Sequence, residues 1–181
     1  MIGLTVGCAS TNNSYTAQQM SEGIDLATKK NACYNLNFAE SRIIPIHEFE
    51  SRFRLASATP LRSHDLKSVL AFSYTKESSD SGVVFIPNRP LATSSLPPKE
   101  IGIHELIHSS LTFAESKELT KKIQRLGINL AIDSRDNVYL ETPAYLVNYM
   151  LQGQYKNLRN EIISLYLEYD IDLPCIDSRL S

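Results

Sequence analysis

Tryptophan is absent from this 181-residue chain, glycine occurs only seven times and cysteine three times. So few glycines leave no Gly-rich loop of the kind that cradles phosphates, which argues against nucleotide chemistry. Three cysteines are too few for a disulfide scaffold. A chain of this size buries roughly 70% of its unfolded surface and needs no such staple. No run of about 18 apolar residues occurs, so the sequence offers no membrane-spanning helix. Positive charge is also short: 18 Lys+Arg stand against 20 Asp+Glu, for a formal charge of −2 and a pI near 6.1. Without a basic excess, nucleic acid is a poor candidate partner. Apolar residues at 43% and charged residues at 21% place the chain with globular rather than disordered proteins. One compact, soluble domain is the expectation.

Residue patterning then sketches the elements. Thr16 to Asn31 reads as a helix with Met20, Ile24 and Ala27 on one face. Arg42 to Ile46 is a β-branched run broken by Pro45, at best an edge strand. Lys67 to Tyr74 and Val83 to Ile86 read as two strands joined by the polar turn Lys76 to Gly82, a hairpin. A Pro-rich loop from Asn88 leads to Pro98, which suits the first turn of a helix running to Ala114. Further helices are predicted over Ser116 to Leu126, Val138 to Leu151 and Tyr155 to Tyr169, with Ile128 to Ile132 a short strand or loop. In the last helix Leu158, Ile162, Leu165 and Tyr169 form a core stripe. The class is α+β.

One motif carries chemistry. Ile101-Gly102-Ile103-His104-Glu105-Leu106-Ile107-His108 places H-E-x-x-H within the predicted helix. Residues four apart share a helix face, so His104 and His108 can both reach one Zn²⁺ at about 2.0–2.1 Å. Glu105 lies one position round, beside the metal but not on it. There it can take a proton from water that the metal acidifies to a pKa near 7. Ile101, Ile103, Leu106, Ile107 and Leu111 surround the motif, so the helix is apolar nearly all round and buried. Buried imidazoles and a buried carboxylate are costly without a partner, and a metal supplies one.

A catalytic zinc takes three protein ligands and keeps an open position. A third histidine six residues after His108 is absent, since Ala114 stands there. Glu115 is roughly 10 Å farther along the axis, which is out of reach. Glu141 is the best candidate, in Tyr139-Leu140-Glu141-Thr142-Pro143-Ala144-Tyr145, with His64 as the fallback. Glu141, Tyr145 and Asn148 share a polar stripe on a helix whose core stripe is Leu140, Ala144, Val147 and Leu151. A carboxylate and a phenol one turn apart suit a metal ligand and a donor to an oxyanion.

H-E-x-x-H followed at a distance by a helix-borne E-x-x-A resembles the gluzincin branch of the zincin-like metallopeptidases. The match spans about 70 residues, from Ser81 to Leu151. The resemblance implies a zincin-like fold, with a small N-terminal sheet and edge strand beside a central H-E-x-x-H helix and a helical C-terminal half. It implies one zinc ion held by His104, His108 and Glu141, and Glu105 as general base or acid. Val83 to Ile86 would be the edge strand that pairs with an extended peptide substrate. Tyr145 would be the oxyanion donor, with Tyr139 and Tyr149 as weaker options. The implied activity is hydrolysis of peptide bonds. Pro143 departs from the pattern, suggesting that its helix starts or kinks near Glu141, and so does Ser110, where the zinc-protease pattern usually has an apolar residue.

At the N-terminus, Leu4-Thr5-Val6-Gly7-Cys8 resembles the lipobox of bacterial lipoproteins, and Thr11 to Ser14 reads as a polar tether. On that reading residues 1–15 are an anchor with its tether, 16–181 are one domain, and Cys8 carries lipid in a bacterial cell envelope. The other reading of Cys8 is an unmodified buried thiol. If Cys8 is acylated, Cys33 and Cys175 remain and can pair as a disulfide in an oxidising envelope, the alternative being two ordinary buried thiols. His47 follows Ile46 in a predicted strand and reads as an ordinary surface or structural histidine. The competing functions are a zinc peptidase, a non-enzymatic envelope lipoprotein using the fold as a binding module, and a hydrolase of non-peptide amides.

Overall fold

The computed structural model describes residues 14–28, 40–56, 65–92, 94, 96–132 and 137–178. These residues form seven helices and three strands, an α+β arrangement. Cys8, Cys33 and His64 lie outside them.

Helix α1 (Ala17–Thr28) begins with a reciprocal cap: the Thr16 hydroxyl accepts from the Gln19 amide, and the Gln19 side chain accepts from the Thr16 amide. Strand β1 (Glu40–Ile44) is tied to α1 by Ser41, whose hydroxyl donates to Asp25 at 2.7 Å. Helix α2 (Ile46–Ala56) follows directly. It takes in His47, which therefore sits exposed on a helix rather than in a strand. A single 3-10 turn at Asp65–Ser68 leads into the short strand β2 (Phe72–Ser73). Strand β3 (Val83–Pro87) completes the sheet.

The sheet order is β1-β3-β2, with β1 parallel and β2 antiparallel to β3. The β2–β3 pair is the hairpin read from the sequence, although β2 is only two residues long. Its partner corrects the sequence reading: β3 is the central strand, paired on both sides, and cannot be an edge open to a substrate. The physical reason is visible in its residues. Val83, Val84, Phe85 and Ile86 are all buried, as in a strand covered on both faces. Val84 and Ile86 face Met20 and Ile24 of α1, with Ile101. Val83 and Phe85 face Phe49 and Phe53 of α2, with Phe72. The outer strand nearest the central helix is β2.

Helix α3 (Pro98–Ser110) opens with Pro98 at its first position and is buried at every residue from Ile101 to Ser110. It lies between two cores. Ile101 belongs to the sheet-side cluster, while Ile103, Leu106, Ile107 and Leu111 belong to the helical one. A close crossing fixes it against α1: a Cβ on Gly102 would stand 3.0 Å from the Ile24 Cα, and one on Gly23 would collide with Pro98. Ser109 and Ser110 satisfy their buried hydroxyls on the Glu105 and Leu106 carbonyls, one turn back. A serine is thus accommodated where an apolar residue is usual.

The chain turns at Leu111 into α4 (Phe113–Arg125), which a complete capping box starts: Thr112 and Glu115 each accept the other's amide. Glu115 is thereby committed to the cap. Residues 128–132 form no strand. Helix α5 (Val138–Leu151) is capped by Asn137 and runs uninterrupted through Pro143. Proline at 143 leaves the Tyr139 carbonyl without its helical donor, and the buried Thr120 hydroxyl of α4 supplies one at 3.1 Å. The Pro143 carbonyl in turn accepts from Tyr166 at 2.6 Å. Tyr166 lies on α6 (Arg159–Leu167), and the short α7 (Leu173–Ser178) closes the helical side. Cys175 packs against this core and is disulfide-bonded. The pairing with Cys33 expected from the sequence involves a residue outside those described.

Candidate metal centre

Helices α3 and α5 build the centre between them. His104 and His108, one turn apart on α3, point at Glu141 in the first turn of α5. The His104 Nε2 lies 3.1 Å from Glu141 Oε2, and the His108 Nε2 lies 3.6 Å from Glu141 Oε1. The imidazole centroids are 4.8 Å apart. Ligands held at about 2.0–2.1 Å in tetrahedral geometry stand about 3.3 Å from one another, close to these separations. Among the described residues, His104, His108 and Glu141 are the group able to hold a metal ion.

Electrostatics agrees with the geometry. Burial works to lower the His108 pKa, but the Glu141 carboxylate, which also bonds the ring, outweighs it and lifts the value to about 9. Burial works to raise the Glu141 pKa, and the two imidazoles prevail, holding it well below the usual carboxylate range. The carboxylate stays ionised, and in the metal-free protein a proton on His108 balances it. A divalent cation can replace that proton.

Glu105 sits one position round from His104 and is only 7% exposed. Ser73 of β2 holds it: the hydroxyl donates to the Glu105 carbonyl at 2.7 Å and approaches its carboxylate oxygen at 3.0 Å. Ser73 was not legible as a site residue, because nothing in the sequence said that β2 would abut α3.

On α5, three side chains one turn apart surround His104. Glu141 meets Nε2, the Tyr145 ring packs edge-on at a centroid distance of 4.7 Å, and the Asn148 amide lies 3.4 Å from Nδ1. Tyr149 stacks on Tyr145 at 6.4 Å. Tyr139 is engaged on the α4 side, with the Lys117 ammonium 5.4 Å above its ring. Tyr145 is thus the tyrosine in contact with the centre. The polar stripe 141–145–148 was readable from helical spacing, whereas the contact of Asn148 with His104 was not.

Set beside protein families, curated proteins and solved structures, the chain matches none of them.

Proposed function

We propose that this protein is a zinc-dependent peptidase of zincin type. The observation that carries the reading is the convergence of His104, His108 and Glu141 from two helices, with Glu105 beside them but outside the ligand set. Two imidazoles and one carboxylate suit Zn²⁺ and leave room for a fourth position. Zinc bound there supplies Lewis acidity, polarising a carbonyl and bringing the pKa of water to about 7.

The chain's own groups do the rest. Glu105 accepts the proton of the attacking water and passes it to the leaving amine, while Ser73 keeps its carboxylate oriented. Tyr145 is the donor to the developing oxyanion. With β3 enclosed, the outer strand beside α3 is β2, so an extended peptide adds there. The disulfide at Cys175 supports an oxidising compartment such as a bacterial cell envelope. Among the described residues no helix is long and apolar enough to cross a membrane, and the lipid anchor proposed at Cys8 does not require one.

Metal analysis with a peptide-library assay tests the reading. Wild type should carry one zinc and cleave, and Glu105→Gln should keep the metal while losing about 10²–10⁴-fold in turnover. Unchanged turnover in Glu105→Gln defeats the mechanism. Full zinc occupancy in Glu141→Ala removes Glu141 from the ligands.

A further inference from the structure

We propose that Asn148 is a positioning residue for His104, and that its amide presents opposite ends to the imidazole in the metal-free and metal-loaded protein. The inference rests on the metal-centre reading above and concerns how the chain readies a ligand.

Glu141 and Asn148 are seven residues apart on α5, roughly 10 Å along the axis. The His104 ring lies lengthwise between them, Nε2 toward Glu141 at 3.1 Å and Nδ1 toward the Asn148 Nδ2 at 3.4 Å. Asn148 is 1% exposed, and its Oδ1 is buried with no hydrogen-bond partner.

A neutral imidazole has one N–H and one lone pair. With the amide nitrogen facing Nδ1, Nδ1 is the acceptor and Nε2 carries the proton, which it donates to Glu141. That tautomer is self-consistent without a metal, but it cannot bind one through Nε2. Coordination needs the Nε2 lone pair, so the proton must stand on Nδ1 and face an acceptor. A half-turn of the Asn148 amide brings Oδ1, the unpartnered atom, to that place.

In the orientation present, His104 is, among the described residues, the one hydrogen-bond partner of the amide and its other end is unpaired, so no second bond locks it. Asparagine fits both states because it has a donor end and an acceptor end. A carboxylate at 148 could serve only the loaded state, and an apolar side chain neither.

The test is zinc affinity by competition with a chromophoric chelator, together with the ¹⁵N spectrum of the histidine rings. Asn148→Ala should bind zinc 10–100-fold more weakly than wild type, and Asn148→Asp should bind at least as well as wild type. In wild type the His104 proton should stand on Nε2 without metal and on Nδ1 once zinc is added. Wild-type affinity in Asn148→Ala, or one tautomer in both states, overturns the proposal. The spectra need no variant, so they decide the matter even if Asn148→Ala fails to fold. Wild type that binds no zinc sinks the metal-centre reading and this inference together. Wild type that binds zinc with Asn148 indifferent removes only the positioning role.

Discussion

Helices α3 and α4 are each 13 residues long, adjacent in sequence and opposite in design. In α4, Ser116, Leu119, Thr120 and Ile123 face inward, and charged residues such as Lys117, Glu118 and Lys121 face water. In α3 no face looks outward from Ile101 onward, because α1 and the sheet cover one side and the helical core formed with α4 to α7 covers the other. A surface helix is held by an apolar stripe and its caps, and its polar residues are solvated. A helix buried all round must answer for each polar group internally. The serines of α3 do so with backbone carbonyls, Glu105 with Ser73, and the two histidines with Glu141 and, on the present reading, a metal.

The comparison can be broken most severely within α3. Ile107→Ala removes a fully buried side chain between the helices and should cost about 2–5 kcal/mol in denaturant unfolding. A loss below about 1 kcal/mol would mean that α3 is less enclosed than described here.

Second comes the metal. Zinc at a hundredfold its dissociation constant should add about 2.7 kcal/mol of stability. The metal-free protein should also respond to pH through His108 and Glu141. His108 is raised from 6.5 to about 9, so its contribution is complete below about pH 6.5 and disappears as the pH climbs toward 9. Glu141 is lowered from 4.5, so its contribution holds above that value and fades as the pH falls below it. Thermal melts in chelator should therefore decline from pH 6.5 to 9, and zinc should abolish the decline because it binds neutral imidazole. Parallel profiles with and without zinc would contradict this.

The α4 effects are smaller. Thr112→Ala removes half of a capping box and should cost about 1 kcal/mol. Lys121→Ala, on the exposed face, should stay within about 0.5 kcal/mol in the same assay. A larger loss at Lys121 than at Thr112 would reverse the reasoning for α4.

The same contrast explains what the sequence could and could not reveal. Helix α3 was legible because Pro98 is a local start signal, and α5 because Leu140, Ala144, Val147 and Leu151 recur at helical spacing. Helix α2 was missed, since its inward anchors Phe49 and Phe53 sit among charged neighbours and make only a narrow stripe. Helix α7 is too short to show a period. The central position of β3 was written in four consecutive apolar residues, which mark a strand covered on both faces more than an edge. Glu141 was reachable by helix-face reasoning. Ser73 was not, because its partner is 32 residues away and pairing across that distance leaves no local trace.

Gly102 bears on the centre from the other side of the helix. Two residues before His104, it faces away from Glu141 and rests on α1, where a Cβ would be 3.0 Å from backbone. It therefore acts as a spacer of zero thickness. A side chain there would have to part α3 from α1 by a few tenths of an ångström. The approach of α3 to α1, and with it the placement of His104 and His108, depends in part on a hydrogen atom on the face of the helix away from Glu141.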